Sequence, residues 1–340
     1  MIGRHLRNGF EYFQINTLFC SQEICIMTRP VLVMMRPLPL PLLRANGEEI
    51  EVRQFQGDFS LFEGATVLCS TALDRVDADF IAAIPDSVKL IANIGTGYDN
   101  IDLVAATAKG IKITNTPVVA EDTADLAFLL ILASARQLTA NQKFLRAGHW
   151  TSTQPATHIG KTAHGTTLGI VGFGQIGQAV ARRAKGFNMN VIYHGPSRKP
   201  AAEKLLDATY FETLEEMLAT ADIVSLNCAL TAQTKHIINA QTLSAMKSDA
   251  VLVNTGRGAL IDEAALVAAM KAGHLSAAGL DVFEYEPDIH PGLLELNNVT
   301  LAPHIGAATA QCHEAIGACA IENILAQFEG RELISCVDPQ

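Results

Sequence analysis

The sequence lacks any apolar run of about 20 residues, the length that a helix needs to cross a bilayer. Its strongest apolar stretch, residues 126–135, is shorter than that and has the spacing of a helix. We therefore expect no membrane-spanning helix. Positive charge is also scarce, because 25 Lys and Arg stand against 35 Asp and Glu, for a formal net charge of -10. Nucleic-acid-binding proteins usually carry a basic stripe, so we expect no nucleic acid among the partners.

Closely spaced cysteines are missing as well. The seven cysteines are scattered, and no two have the spacing of a Cys-x-x-Cys metal or redox motif. We interpret them as reduced, mostly buried thiols of a cytoplasmic protein. We predict no metal site.

Apolar residues, in contrast, make up 49% of the chain, with 18% charged residues. This composition suits a compact globular protein. The length of 340 residues suits two domains of the usual ~100–200 residues each. The first 26 residues are weakly patterned, and Met27 stands just before the first strand-like run. We expect residues 1–26 to be a non-native or disordered extension.

Short β-branched runs alternate with longer helical patterns, which predicts a parallel α/β fold. A first series has strand patterns at residues 31–35, 66–69, 90–93 and 111–115 and ends in one long helix over residues 123–148. A second series has six strand patterns, at residues 167–172, 190–193, 223–227, 250–254, 277–281 and 299–302. Six strands with crossover helices make a full dinucleotide-binding domain.

A last helical pattern, residues 310–330, follows the sixth strand and has no sheet left to cover there. We predict that it returns to the first domain. The fold class is then α/β with two Rossmann-like domains. A central NAD(P)-binding domain, residues 125–308, is inserted into a discontinuous flavodoxin-like substrate domain made of residues 27–124 and 309–340. The cleft between the domains is the expected site.

A glycine-rich turn connects the first strand of the second series to a helix. Gly172, Gly174 and Gly177 form a Gly-x-Gly-x-x-Gly, with Gln175 and Ile176 at the start of the helix. Gly172 permits the tight turn, Gly174 lets the backbone approach a pyrophosphate, and Gly177 allows close packing of helix on strand. The glycine triad alone is weak evidence, but its place between a strand and a helix predicts a dinucleotide-binding site.

The end of the next strand indicates which dinucleotide binds. An NAD enzyme usually carries Asp or Glu there, whereas this chain has His194 followed by Ser197, Arg198 and Lys199. These donors suit a 2'-phosphate, so we favour NADPH and keep NADH as possible. Alternatively, Arg198 and Lys199 are an ordinary solvated charge pair.

Three further strand ends supply Arg257, Glu286 and His304. A guanidinium can hold a carboxylate and polarise a carbonyl. A histidine beside a carboxylate can donate a proton to a nascent alkoxide. Taken singly, His304 is more often a core or loop histidine and Glu286 a solvated acid. Arg257 could be a surface cation, although its strand-end glycine setting favours the binding role. Their combination points to reduction of a 2-keto acid.

The chain resembles the D-isomer-specific 2-hydroxyacid dehydrogenase family from Met27 to its end. Seven motifs carry the resemblance: the stretch from Asn93 to Asp102, Thr116-Pro117, Thr123-Ala124-Asp125-Leu126-Ala127, the glycine turn, the stretch from Val253 to Gly258, Gly279-Leu280-Asp281-Val282-Phe283 with Glu286-Pro287, and Pro303-His304-Ile305-Gly306.

The resemblance implies that Arg257 binds the keto acid and that Glu286 and His304 form the acid–base pair. It also implies that Asp281 anchors the nicotinamide carboxamide, and that the main partners are a small 2-keto or 2-hydroxy acid and a second copy of the chain in a homodimer. Further implied contacts are those of Thr255 and Gly306 with the cofactor and of the Gly95, Thr96 and Gly97 amides with the substrate carboxylate.

Among subfamilies, the chain looks most like the NADPH-preferring glyoxylate, hydroxypyruvate and hydroxyphenylpyruvate reductases. One departure is Cys228, in a loop where the family commonly has proline. An NAD-linked member acting on another acid and a nucleotide-sensing corepressor-like protein are the alternatives. The choice of keto acid is expected to depend on residues 37–43 and 94–98 and on the partner's arm near Trp150.

Overall fold

The protein is described here by a computed structural model that covers residues 29–38, 40–153 and 158–337. The expected extension at residues 1–26 lies outside these residues. The described chain forms two large parallel sheets with helices on their faces, so the predicted α/β fold class is confirmed.

The first sheet has five parallel strands in the order β4-β1-β5-β6-β7. Beside it lies a small antiparallel hairpin of β2 and β3. The strands are β1 (Val31–Met34), β2 (Arg44–Ala45), β3 (Glu48–Glu49), β4 (Glu51–Gln54), β5 (Ala65–Thr71), β6 (Leu90–Ile94) and β7 (Lys112–Thr114).

The second sheet has seven parallel strands in the order β10-β9-β8-β11-β12-β13-β14. They are β8 (Thr167–Val171), β9 (Asn190–His194), β10 (Ala208–Tyr210), β11 (Ile223–Leu226), β12 (Val251–Asn254), β13 (Ala277–Leu280) and β14 (Val299–Leu301). The strand order reverses between β8 and β11, and in doubly wound folds ligands bind at the carboxyl ends of the strands at such a point.

The helices of the described chain lie mainly between the strands. They are α1 (Ala78–Ala83), α2 (Leu103–Ala108), α3 (Ala120–Ala135), α4 (Leu138–Arg146), α5 (Gln175–Lys185), α6 (Pro200–Leu206), α7 (Leu214–Thr220), α8 (Ala240–Ala245), α9 (Glu263–Lys271), α10 (Pro291–Glu295) and α11 (Ala310–Glu329).

Each large sheet carries an apolar core on both of its faces. A strand that is buried on both faces has a continuous run of apolar residues in the sequence. Most of these strands could therefore be predicted from the sequence. Helix α3 packs on the second sheet, against β12 and β13. Helix α11 packs on the first, where Ile324 lies against Leu32 and Leu90.

The sequence prediction lacks the hairpin of β2 and β3 and two strands of the large sheets. The second sheet has seven strands instead of six, because the short β10 pairs with β9 at the edge. The first sheet gains β4, whose Glu-Val-Arg-Gln sequence is only partly buried at the opposite edge. Edge strands bury one side at most, so neither has the apolar run that marks a central strand.

The prediction of one long helix over residues 123–148 is wrong. The structure has α3 and α4, which meet at a bend of 64°. Gln137 breaks the helix because it adopts the left-handed conformation, with φ of 53°. Its side-chain Nε2 donates a hydrogen bond to the Ser276 carbonyl at 3.0 Å, which fixes the bend against the second sheet.

Candidate active site

Arg257, Asp281, Glu286 and His304 are supplied by the loops that follow β12, β13 and β14. These neighbouring parallel strands end at the same edge of the second sheet. The topology therefore brings together residues up to 47 positions apart in the sequence.

The His304 and Glu286 side chains form a close pair. His304 Nδ1 lies 2.7 Å from Glu286 Oε2, and Glu286 Oε1 accepts the Phe283 N–H at 3.0 Å. The hydrogen bond to Glu286 raises the pKa of His304 against the opposing effect of burial. Burial alone would raise the pKa of Glu286, but the hydrogen bonds from His304 and Phe283 outweigh it and lower that pKa. The pair is thus arranged as imidazolium and carboxylate, with His304 Nε2 left to act on a ligand.

Asp281 fixes the backbone around His304. Its two carboxylate oxygens accept the N–H groups of Ile305 and Gly306 at 2.8 and 2.9 Å, and its carbonyl accepts the His304 N–H at 2.8 Å. His304 itself has a φ of 54°, which non-glycine residues seldom adopt. Burial raises the pKa of Asp281 in spite of the two backbone donors. Asp281 therefore determines how His304 is presented.

Arg257 reaches across to the first sheet. Its Nε donates to Asp99 Oδ1 at 2.9 Å, and its Nη1 donates to the Gly256 carbonyl at 3.0 Å. A Cβ on Gly97 would lie 1.6 Å from Arg257 Nη2, so the guanidinium rests directly on this glycine. Position 97 therefore has no room for a side chain while Arg257 keeps this place.

The loop of Gly95, Thr96 and Gly97 follows β6. The Gly95 N–H donates to Thr116 Oγ1 at 2.9 Å, and the Gly95 carbonyl accepts the Thr116 N–H at 3.0 Å. The prediction that all three amides of this loop are available to a substrate therefore needs correction at Gly95. Among the described residues, nothing accepts a hydrogen bond from the Thr96 and Gly97 N–H groups.

In the glycine turn, Gly172 and Gly177 have the steric features expected from the sequence. Gly172 has a φ of 92°, and a Cβ there would lie 2.5 Å from the Cys228 nitrogen. A Cβ on Gly177 would lie 2.2 Å from the Gly172 carbonyl oxygen. At Gly174, in contrast, a Cβ would meet nothing within 4 Å, which leaves open space at the start of α5. An anion can approach the backbone there.

The end of β9 bears the residues predicted to select the dinucleotide. His194 Nδ1 lies 3.1 Å from the Phe211 carbonyl, so this nitrogen is the donor. Ser197 and Lys199 are exposed. None of His194, Ser197, Arg198 and Lys199 lines the cleft described below.

Arg198 is already engaged, which the sequence did not indicate. Its Nη2 lies 2.6 Å from Glu203 Oε2, and its guanidinium lies 5.8 Å from the centre of the Tyr210 ring. Glu203 Oε1 also accepts the Tyr193 hydroxyl at 2.6 Å. The hydrogen bonds from Arg198 and Tyr193 lower the pKa of Glu203 to about 2. The Arg198 guanidinium is thus neutralised by a carboxylate on α6.

A cleft of about 460 Å³ separates the two sheets and collects most of these residues. Eleven residues predicted to bind substrate or cofactor line it: Gly95, Thr96, Gly97, Gly174, Gln175, Ile176, Thr255, Arg257, Asp281, His304 and Gly306. Gly172, Gly177 and Glu286 support it from behind. Described residues of the 37–43 loop are absent from the lining, contrary to the expectation that this loop shapes the substrate pocket.

The cleft offers unpaired polar atoms to a dinucleotide. Thr255 Oγ1 and Asn227 Oδ1 are buried and have no hydrogen-bond partner among the described residues, and both residues line the cleft. Together with the open space at Gly174, they fit a bound NAD(P). Cys228, at the position where the family commonly has proline, also lines the cleft beside Asn227.

Sequence reasoning gave no role to several residues that build the site. Asp99 belongs to a motif quoted above, but only the fold places its carboxylate on Arg257. Asn93, Asn115 and Thr116 hold the Gly95 loop. A polar residue at the carboxyl end of a buried strand was the available signal, since Asn93 and Asn115 are both at or near such ends.

The described residues contain no group of three or more His, Cys, Asp or Glu that could hold a metal ion. Among the same residues, no single helix is long and apolar enough to span a membrane. Only α3 and α4 taken together, which meet at a bend, have the length and composition of a membrane span.

Comparison with known proteins gives a consistent family. Residues 128–306 match the sequence profile described as D-isomer specific 2-hydroxyacid dehydrogenase, NAD binding domain. A glyoxylate reductase of Thermococcus onnurineus is 42% identical over 315 residues, which cover 89% of this chain and 94% of the relative. A glyoxylate reductase of Thermococcus litoralis is 45% identical over 268 residues, which cover 77% of this chain and 80% of the relative.

Solved structures agree with this assignment. The crystal structure of a glyoxylate reductase from Paecilomyes thermophila matches with a TM-score of 0.81 and 36% identity, over 92% of this chain and 99% of that one. An NADPH-dependent glyoxylate/hydroxypyruvate reductase from Sinorhizobium meliloti, solved with NADP and malonate, matches with a TM-score of 0.81 and 32% identity, over 91% and 97% of the two chains.

Proposed function

Because this chain belongs to the D-isomer specific 2-hydroxyacid dehydrogenase family and is thus an oxidoreductase with an NAD-binding domain, we propose that it reduces a small 2-keto acid with NADPH. The substrate is of the glyoxylate or hydroxypyruvate type, and the product is the D-2-hydroxy acid. The observation that carries the proposal is the His304–Glu286 pair, whose histidine lines the same cleft as Arg257 and the glycine turn.

His304 is the proposed proton donor. Bound NADPH supplies a hydride to carbon 2 of the keto acid. His304 Nδ1 is held by Glu286, so Nε2 carries the proton that passes to the carbonyl oxygen as the C–H bond forms. The hydrogen bond to Glu286 raises the pKa of His304 and so favours the protonated form that this step needs. In the reverse direction, neutral His304 accepts the proton from the hydroxyl group.

Arg257 is the proposed substrate-binding residue. Its Nε is held by Asp99, so the guanidinium is fixed in orientation while Nη2 lies over Gly97 in the cleft. A planar guanidinium can bind the substrate carboxylate and polarise the keto oxygen. The Thr96 and Gly97 N–H groups complete the site for the carboxylate.

The remaining contacts are proposed for the cofactor. Asp281 keeps acceptor capacity for the carboxamide beside its two backbone donors, and Thr255 Oγ1 is free to bond. Gly174, Gln175 and Ile176 face the pyrophosphate, with Gly172 and Gly177 shaping the turn and Gly306 closing the nicotinamide end. NADPH is favoured because β9 ends without a carboxylate and is followed by exposed Ser197 and Lys199 beside Arg198 and His194.

The decisive experiment is a spectrophotometric assay of the purified protein with NADPH and, separately, NADH. Glyoxylate, hydroxypyruvate, phenylpyruvate and pyruvate are the substrates to compare. The chirality of the product is determined for the best of the last three, because glycolate, the product from glyoxylate, has no stereocentre. We expect NADPH oxidation with glyoxylate or hydroxypyruvate and a D-configured product from the latter. Folded protein that binds NADPH but oxidises it with none of the four acids would contradict the proposal.

The cofactor preference has its own test. Replacing Arg198 and Lys199 together by Ala should raise the KM for NADPH by about tenfold and leave that for NADH within about twofold. Glu203→Gln is the matched variant, because it releases Arg198 from its ion pair and should lower the KM for NADPH. Equal effects on both dinucleotides would show that Arg198 and Lys199 are a solvated pair and that the enzyme is NAD-linked or indifferent.

We further propose a homodimer. Exposed apolar side chains follow one another on α3, α4 and the arm beyond them: Leu129, Leu138, Leu145 and Trp150 are 57%, 55%, 52% and 63% exposed. An apolar series of this kind commonly marks an interface. Sedimentation of the wild-type chain and of Leu138→Glu/Leu145→Glu should show a dimer and a monomer, respectively.

A further inference from the structure

The C-terminal segment is connected by hydrogen bonds to the loop that faces the substrate. Ser335 Oγ donates to the Asn115 carbonyl at 2.6 Å, and the Asn115 N–H donates to the Ser335 carbonyl at 3.3 Å. Ser335 Oγ in turn accepts Asn323 Nδ2 at 2.8 Å. Asn323 lies on α11 and is fully buried. Asn115 is therefore clamped between the end of β7 and the last helix of the chain.

Asn115 connects the C-terminal segment to the loop that lines the cleft. Its side-chain Nδ2 donates to the Thr96 carbonyl at 2.7 Å, and both residues line the cleft. The carbonyls on either side are also held, since Gly95 O accepts the Thr116 N–H at 3.0 Å and Gly97 O accepts Asn93 Nδ2 at 2.9 Å. Three successive carbonyls of the loop are thus bonded to their own side of the cleft.

The direction of the Gly97 N–H follows from the Thr96 carbonyl. In a trans peptide the C=O and the following N–H point in opposite directions. The hydrogen bond from Asn115 therefore sets which way the Gly97 N–H points. Because glycine accepts almost any φ, the peptide between Thr96 and Gly97 could otherwise rotate by about half a turn at little cost. The rotated peptide would present a carbonyl oxygen where a carboxylate needs a donor.

We propose that Asn115, clamped by Ser335 and Asn323, is a positioning residue that holds the Thr96–Gly97 peptide with its N–H toward the substrate carboxylate. The C-terminal segment around Ser335 thereby becomes part of the substrate site, although it does not line the cleft. The inference rests on the proposed function, because it assumes that the loop binds the carboxylate of a 2-keto acid.

The test measures binding without turnover. Oxamate, a non-reacting analogue of a small 2-keto acid, is titrated calorimetrically into the protein–NADPH complex. Asn115→Ala should weaken oxamate binding about tenfold or more and leave the Kd for NADPH within about twofold. Asn115→Asp should weaken it further, because a carboxylate cannot donate to the Thr96 carbonyl and repels the anion. In turnover, the same variants should raise the KM for the keto acid more than they lower kcat.

Three further variants separate positioning from general destabilisation. Ser335→Ala keeps the Asn115 side chain but removes its clamp, and it should weaken oxamate binding about threefold, whereas Ser335→Thr keeps the hydroxyl and should restore it. Asn298→Ala is the matched control, since Asn298 Nδ2 donates to the Ser276 carbonyl away from the cleft. It should leave oxamate binding unchanged.

The outcomes distinguish the two claims. If the wild-type complex binds oxamate and Asn115→Ala binds it equally well, the positioning role is wrong and the proposed function stands. An equal loss of oxamate and NADPH binding in Asn115→Ala would also overturn the inference, because it would mean a general loss of structure. A wild-type complex that does not bind oxamate would overturn both.

Discussion

The described residues contain two histidine–glutamate pairs with nearly equal N–O distances, one formed by the imidazole Nδ1 and the other by Nε2. His304 Nδ1 lies 2.7 Å from Glu286, and His236 Nε2 lies 2.8 Å from Glu284. Both histidines adopt the left-handed conformation, with φ of 54° and 51°. The two glutamates lie in the same loop after β13, with one residue between them.

The two pairs differ in what surrounds them. His304 lines the cleft, whereas His236 does not. The backbone of His236 is bonded on both sides, to the Ala259 carbonyl and to Asn239 Nδ2, so it joins the segment before α8 to the turn after Arg257. The Glu284 backbone is also held, because its N–H donates a hydrogen bond to Glu263 Oε1 at 3.0 Å. A close His–Glu pair is therefore not by itself a sign of catalysis, and access to a ligand is what separates these two.

Removing the imidazoles should give the largest difference between the pairs. His304→Gln should lower kcat for keto-acid reduction by ~10²–10⁴-fold, the usual contribution of a general acid, because Gln cannot donate a proton. His236→Gln should leave kcat within about threefold. Steady-state kinetics and NADPH titration of both variants make the comparison. If both variants lose activity equally, or if His304→Gln no longer binds NADPH, the catalytic role of His304 is wrong.

Removing the carboxylates should change the pH dependence of one pair only. In the proposed mechanism reduction needs protonated His304, so we expect its rate to fall as the pH rises through the pKa of His304, which the hydrogen bond to Glu286 raises. Glu286→Gln removes that hydrogen-bonded charge and should move the fall in kcat/KM to lower pH, with a loss of about tenfold at neutral pH. Oxidation of the 2-hydroxy acid would need neutral His304, so kcat/KM in that direction rises with pH. In Glu286→Gln this rise should also move to lower pH.

Glu284→Gln serves as the control for this profile. It alters a carboxylate of the same loop and should leave the pH profile where it is in the wild type. A shift of equal size in Glu284→Gln would mean that the loop responds as a unit and that Glu286 has no specific role.

The smallest expected difference concerns the backbone supports. Asp281→Asn places an NH₂ group against the N–H of Ile305 or Gly306 and should lower kcat about tenfold by displacing His304. Asn239→Ala removes the support of His236 and the cap of α8, so it should lower stability by about 0.5–2 kcal/mol and leave kcat unchanged. Thermal unfolding and kinetics of the two variants check this, and a reduced kcat in Asn239→Ala would count against the distinction.

Much of the second sheet and its site could be predicted from the sequence because the signals are local. Buried parallel strands are continuous apolar runs, and the glycine turn specifies its own conformation. Arg257 and His304 follow such strands directly. The edge strands β4 and β10 were missed because their residues are only partly buried. The break at Gln137 was missed because apolar spacing does not report a backbone dihedral.

The residues that hold the site in place were harder to predict. Arg198 was predicted to lie near the dinucleotide, but its ion pair with Glu203 could not be predicted, because it depends on how α6 folds back on β9. The Gly95 amide was expected to face the substrate, yet Thr116 at the end of β7 takes it. In both cases a hydrogen bond between two separate elements decides whether the group is available to a ligand. The sequence of either element alone does not indicate that hydrogen bond.

The sequence by itself determined the α/β fold class, the strand ends that carry Arg257, Glu286 and His304, and the glycine turn, because each depends on residues that are neighbours along the chain. Only the tertiary structure decided which of two His–Glu pairs faces the cleft, that Asp99 orients Arg257, and that Asn115 holds the loop of Gly95, Thr96 and Gly97. Those outcomes depend on distances between residues far apart in sequence, which are set when the two sheets and α11 pack together.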